Sequence, residues 1–397
     1  MASNRITANE KTLRILIQIF FIISILAYEI HIYQYYTIIQ IVLSALNITI
    51  LSIIRRDASI SKKAKHHIRQ NIFPIFLSIA MVMSTLTATL IHPASSILSP
   101  AIVLLFGINT ILDFYYLPVY LQEHKETKKR ILNTIKVMLT IISMAGVIIY
   151  ILGGVGPYVL ESGRARSIYF DPNFFAVTSV IPFLLSIKNY KKQKTKTVLL
   201  GLLSFISVIV SGSRGTMLSI AAFVVYLILF KVPNTKIIKK IMAISITVIA
   251  SIFLLNYLEN INFLRLYQGT SGRAEMIQYS INELRKSPFV GYGYASISKK
   301  LKEGGYKNAS THNSLADYAF SYGVPIFILF ISLLIYVVII SLQKQQETYL
   351  CALLIFLLAN MNTILFNFGG VGIPSVLLTI IMGMIVYSKR GHKNEKN

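Results

Sequence analysis

Residues 323–342 read GVPIFILFISLLIYVVIISL, twenty consecutive positions without an Asp, Glu, Lys or Arg. At 1.5 Å per residue, a helix of this length spans the roughly 30 Å of a bilayer's hydrocarbon core. Runs of the same kind occupy 13–31, 36–54, 71–91, 99–121, 131–152, 172–187, 197–211, 215–230, 241–257, 349–367 and 372–388. Together they predict an all-α, polytopic integral membrane protein, one membrane domain over 1–397 with about twelve transmembrane helices. Composition agrees: 54% of residues are hydrophobic and 14% charged, with a mean hydropathy of +0.64. A soluble domain carries about a quarter of charged residues. The first run follows a basic N-terminal stretch but has no small-residue cleavage site, so it is read as a retained span rather than a signal peptide.

Basic residues set the expected orientation, because cytoplasmic connections retain Lys and Arg during insertion. The first tail (Arg5, Lys11, Arg14), RRDASISKKAKHHIRQ, QEHKETKKR, KNYKKQKTK, KVPNTKIIKK and the tail KRGHKNEKN all fall on one side. Both termini are therefore expected in the cytoplasm. This topology accounts for most of the net charge of +24. Nucleic acid is the poorer explanation, since the basic clusters are short, scattered between spans and not interleaved with exposed aromatics. The lone Cys351 lies in an apolar run and allows neither a disulfide nor a zinc site. Asp113 is a default functional flag within a span, but its place near the inner end beside Tyr115 and Tyr116 reads as interfacial.

The outward connections are tight, with two exceptions: Gly153 to Phe170, and an extracytoplasmic loop at 258–322 between spans nine and ten. Ordinary connections are about 4 to 6 residues, so a loop this long is functional or disordered. Within it AEMIQYSINELRK puts Met276, Ile277, Ile281 and Leu284 at helical spacing, an amphipathic helix able to lie on the membrane or cover a cavity. It stops at Ser287-Pro288; VGYGYAS reads as a glycine-rich turn, and a second short helix begins near Thr311 and His312 and runs to Gly323. GGVGPY and GGVGIP, near Gly153 and Gly369, do not extend to an internal repeat.

This lysine-poor side nevertheless holds Arg164, Arg166, Arg214 and Arg273, then His312. In SGSRG, Ser213 and Arg214 open a helix whose first amides, with the guanidinium, can form an anion site; the plainer reading is an arginine snorkelling to lipid phosphate. In ESGRARSIYFDPNFF, Asp171-Pro172 reads as an N-cap with proline at the first helical position. Arg164, Arg166 and Asn173 are candidates for a phosphate or sugar carboxylate, or the arginines pair with Glu161. Arg273 opens the loop helix at its unfavourable positive end, which an anion, or Glu275, has to compensate. His312 can take a proton from an attacking hydroxyl near pH 7, or it is structural. Asn313, Asp317 and Tyr318 follow it in STHNSLADYAFSYG, placed to orient it or to contact sugar. Neither a metal-ligand cluster nor a nucleotide-binding glycine loop occurs, so the expected chemistry uses no cofactor and no metal and is driven by arginine and histidine.

In order and topology, the SRG turn between two short spans, SGRAEM, KSPFVGYGYAS and THNSLADYAFSYGVP resemble the O-antigen polymerase and O-antigen ligase superfamily, and RARSIYFDPN resembles its earlier arginine loop. The likeness covers roughly residues 160–340. It implies a glycosyltransferase on the outer face of the bacterial cytoplasmic membrane, which moves a glycan from undecaprenyl diphosphate to a sugar hydroxyl of another lipid-linked repeat unit. Arg214 and Arg273 would hold the departing diphosphate, and His312 would act as base or position the acceptor. Family members often carry a tryptophan shortly after the loop arginine; this chain has none and offers Met276 and Ile277. The Ile, Lys and Asn bias fits an AT-rich genome and favours a capsule or exopolysaccharide repeat-unit polymerase. Ligase-type transfer to another acceptor and a flippase or transporter are the alternatives, with a flippase and a chain-length regulator as candidate partners beside membrane lipid. A transporter would put paired charges at the bilayer midplane.

Overall fold

The computed structural model describes residues 8–26, 36–92, 96–153, 158–159, 163–169, 171–230, 272–306, 310–343, 346–364 and 366–394. These form α1 (Ala8–Leu26), α2 (Tyr36–Ile54), α3 (Ala58–Gln70), α4 (Phe73–Ile91), α5 (Ser99–Glu123), α6 (Lys125–Ile151), α7 (Pro172–Ser186), α8 (Lys194–Ser211), α9 (Arg214–Phe230), α10 (Arg273–Leu284), α11 (Ser296–Glu303), α12 (Ser314–Tyr322), α13 (Val324–Ser341), α14 (Thr348–Ala359) and α15 (Ile373–Asn394). No β-strand occurs among the described residues.

Five helices, α4, α5, α6, α8 and α13, are long and apolar enough to cross a membrane, and the α2–α3 pair, bent by 114°, makes a sixth if it is one span. The expected span 241–257 lies outside the described residues; the other expected runs fall on helices, some of them short. Burial explains the short ones. Along α7 nearly every side chain from Pro172 to Ser186 is buried, and α14 and α15 are enclosed in the same way. A helix apolar on all sides and surrounded by protein need not match the bilayer's full thickness. The outer helices behave differently, with Leu90, Ile151, Leu199 and Ile339 turned outward as lipid-facing side chains.

Three features differ from the reading of the sequence. The basic connection after α2 forms a helix, α3, capped by Asp57 through the amides of Ser59 and Ile60, and it buries Ile60, Ala64 and His67. Asp113, read as interfacial, is fully buried by protein within α5, in a π-helical turn at Ile111–Tyr116. Third, the buried residues of α10 are Met276, Ser280 and Glu283, while Ile281 is 41% exposed. Glu283 can be buried because Lys286, Lys300 and the Tyr292 hydroxyl surround its carboxylate. Met276, Tyr292, Ile297, Leu301 and Phe320 then close a small core of their own under α10 and α11.

The loop is fastened to the bundle by backbone contact. Tyr292 and Gly293 amides donate to the carbonyls of Phe320 and Ser321, each at 2.9 Å, and Val324 donates to Pro288 at 2.7 Å. Gly291 (φ +70°) and Gly323 (φ +81°) meet there; a Cβ on either would run into backbone of the other segment. From the bundle, the Ser84 hydroxyl faces the carbonyls of Val290 (2.7 Å) and Tyr322 (3.0 Å), and Ser99 donates to Tyr294 at 2.7 Å.

Candidate active site

Two turns are bonded together first. Asp171 caps α7 by accepting from the Asn173 amide at 2.8 Å, with Pro172 at the first helical position as the sequence reading expects. Asn173 is buried, and its Oδ1 accepts from both Arg164 and Ser213, at 3.0 Å each. The Arg164 Nε donates to the Ser211 carbonyl at 2.6 Å. A cation at a helix C-terminus, satisfying a carbonyl with no helical partner, is the favourable arrangement. The α8–α9 turn itself needs its glycines: Gly212 is left-handed at φ +60°, and a Cβ on Gly215 would strike Thr363. Thr216 bonds to both Ser213 and Asn360, tying Arg214 at the start of α9 to the end of α14.

Two further segments bring their side chains to the same place. Arg273 opens α10 directly after Gly272, which is left-handed at φ +75°. His312 precedes α12, whose N-cap is Asn313; the Asn313 Oδ1 accepts from the amides of Leu315 and Ala316 at 3.0 Å each. His312 itself is left-handed, φ +54°, an uncommon conformation for a residue with a Cβ. Its Nδ1 lies 3.8 Å from Oδ2 of Asp171.

The charges act on one another. Burial lowers the pKa of His312 below its ordinary value; Asp171 opposes that, while Arg273 and Arg164 push it further down. Arg273 is likewise lowered by burial, raised by Asp171 and lowered by the neighbouring Arg214. His312 is therefore held towards its neutral, proton-accepting form beside several cations. Asp171, rather than Glu275, is the carboxylate that offsets Arg273 within the protein, and Glu275 is exposed. Glu161 lies outside the described residues.

The structure thus brings Arg273 and His312 to Asp171, with Arg214 beside Arg273 and Arg164 beside His312. Ser213, Asn173 and Asn313 are bonded into the turns that carry them. Arg166 is half-buried, and its amide donates to the Tyr158 carbonyl at 3.0 Å. Asp317 and Tyr318 line a separate cavity of about 90 Å³, which none of the arginines lines. Sequence reasoning missed Asp171 as a partner of His312, because its role as a cap already explained it. Among the described residues no three His, Cys, Asp or Glu side chains cluster in a way that could hold a metal ion.

Residues 199–331 match the family described as O-antigen ligase, about a third of the chain, from within α8 into α13. The chain carries a segment of the O-antigen polymerase and ligase superfamily. No curated protein matches it. The superfamily segment contains Arg214, Arg273 and His312, whereas Arg164 and Asp171 reach the site from outside it. Members of the superfamily are glycosyltransferase-like enzymes, and the apolar helices here make a multi-pass membrane protein.

Proposed function

We propose that the protein is a repeat-unit polymerase for a capsule, exopolysaccharide or O-antigen. The donor is a glycan on undecaprenyl diphosphate, and the acceptor is a sugar hydroxyl of a second lipid-linked repeat unit. The supporting observation is the convergence of Arg214, Arg273 and His312, three separate segments of the chain, beside Asp171. Gathering like charges costs free energy unless an anion completes the site; one guanidinium about 4 Å from a phosphate charge gains on the order of 4 kcal/mol at an effective dielectric near 20.

In this reading Arg214 and Arg273 bind the diphosphate and stabilise it as it departs, the role a divalent metal plays in other glycosyl transfers. The acceptor oxygen forms its bond to the anomeric carbon while the bond from that carbon to the diphosphate oxygen breaks. His312 takes the proton of the attacking hydroxyl, and Asp171 orients the imidazole and stabilises it once charged. Arg164, Asn173 and Ser213 position the two turns. The site belongs on the outer face of the cytoplasmic membrane, with about twelve spans, both termini in the cytoplasm and 258–322 outside.

The lipid-linked glycans that accumulate after gene deletion test this. A polymerase mutant builds up single repeat units on the outer leaflet. Full-length chains persisting on the lipid would mark a ligase, and single units confined to the inner leaflet a flippase; either result rejects the polymerase. Impermeant labelling of a cysteine at Lys302, in a Cys351→Ser background, checks the sidedness.

A further inference from the structure

The cavity beside the arginine site has its own chemistry. One face of α12 supplies Ser314, Asp317, Tyr318 and Ser321 to its wall, while Tyr294 and Ser298 stand at its more open side. Asp317 is 5% exposed. Its Oδ1 faces both the amide and the hydroxyl of Thr311, at 3.2 and 2.6 Å, whereas its Oδ2 has no hydrogen-bond partner among the described residues. A buried carboxylate oxygen left without a donor is costly, so a donor belongs there.

Three observations narrow the donor. At about 30 Å³ per water, the space equals roughly three water molecules, enough for a hydroxymethyl group or the edge of a sugar ring. Phosphate is excluded by the carboxylate's own charge. Asp317 is the one carboxylate in the lining, beside serine hydroxyls and the rings of Tyr294 and Tyr318, a set that suits a neutral polyol with an apolar ring face better than a divalent cation.

We propose that this cavity is the subsite for the terminal sugar of the acceptor glycan, with Asp317 Oδ2 accepting one of its hydroxyls. The proposal rests on the glycosyl-transfer reading above and adds which residues choose the acceptor. It also gives Asp317 two tasks. Through Thr311 it holds the turn in which His312 adopts its left-handed conformation, and the Asn313 amide donates to the same Thr311 hydroxyl at 3.2 Å. A sugar seated on Oδ2 and the base at His312 are thus joined through one short turn.

Two substitutions test it. Asp317→Asn leaves an oxygen to accept from Thr311 but turns the second position into a donor. Ser298→Leu fills the mouth from α11 without touching Thr311. The probe is the phosphate-free repeat-unit oligosaccharide released by mild acid from the host's polyprenyl diphosphate pool, and its binding to purified protein in micelles is followed by saturation-transfer NMR. Both variants should bind it at least tenfold more weakly than wild type, and Lys299→Ala should bind it as wild type does. Inorganic pyrophosphate should raise the melting temperature of both cavity variants as it does that of wild type, which also shows that they are folded. Unchanged glycan binding in both cavity variants would overturn the proposal, as would stabilisation by calcium chloride that is lost in Asp317→Asn with no glycan binding to wild type. Stabilisation by pyrophosphate that survives Arg214→Lys and Arg273→Lys would overturn the glycosyl-transfer reading instead, whatever the cavity does.

Discussion

The two charged ends of the bundle are built on opposite rules. At the lysine-rich end several lysines of the described residues meet carboxylates: Lys63 meets Glu123 at 2.6 Å, and Glu347 takes Lys128 at 2.7 Å and Lys188 at 3.4 Å. At the other end the guanidinium of Arg273 feels Arg214 as a like charge, and His312 feels both Arg273 and Arg164. The first arrangement lowers the energy of the folded chain by itself. The second raises it and becomes favourable when an anion arrives. Asp171 offsets part of that repulsion, and a local rule that a fold strains in this way marks where it does chemistry.

The sharpest way to break this comparison is at the base. His312→Ala should lower the rate of polymer formation by about 10²- to 10⁴-fold, assayed with purified protein and lipid-linked repeat units. Arg214→Lys and Arg273→Lys should each lose about 10²-fold or more, because an ammonium keeps the charge but not the planar fork. Full activity in both lysine variants would reduce the arginine end to net charge.

Stability should separate the ends next. Glu347→Gln removes the partner of the buried Lys128 and should cost about 1 to 3 kcal/mol in unfolding free energy, discounted because Glu347 is itself partly exposed. Arg273→Gln removes a like charge and should leave the melting temperature unchanged or higher. If both ends are structural, Arg273→Gln lowers the melting temperature as well.

The pH profile is a finer probe. A base whose pKa is lowered from 6.5 stays neutral further into acid, so the acid limb of activity should fall below pH 6.5. The same shift makes the folded state bind its proton less tightly than the unfolded state does. His312 therefore contributes stability that is present above pH 6.5 and is lost as pH falls through its folded pKa. Asp171→Asn removes the negative charge that raises the pKa and should move the acid limb lower still. Smallest of all, Lys299→Ala and Lys302→Ala should change activity less than twofold, since both side chains are exposed. Lys300 is a poor control for loop charge: it bonds Glu303 and Glu283 and lies over the Tyr292 ring.

What the sequence could reveal followed from range. Hydropathy located the helices because a twenty-residue apolar run is its own signal, and the Asp171 cap was legible because a cap acts within three residues; Asn313, read as a sugar contact, proved to be the cap of α12. Helix α11 was hidden in a turn-like stretch, since its burial depends on Tyr292 and Phe320 rather than on its own pattern. The apolar stripe of α10 was misread because a glutamate took a buried place that periodicity reserves for isoleucine. No spacing could show Asp171 facing His312 across about a third of the chain, or Asn173 serving both an arginine loop and a serine turn.

Ser84 carries a last consequence. It belongs to α4, whose Phe76, Ile79, Met83 and Leu90 are turned outward, yet its hydroxyl grips the loop at Val290 and at Tyr322, while His92 at the end of the same helix meets Ser287 at 3.0 Å. A lipid-facing helix adjusts its tilt when the hydrocarbon thickness changes. Ser84 ties such a helix to both ends of the segment 290–322, so a change in the tilt of α4 pulls on the part of the loop that carries His312.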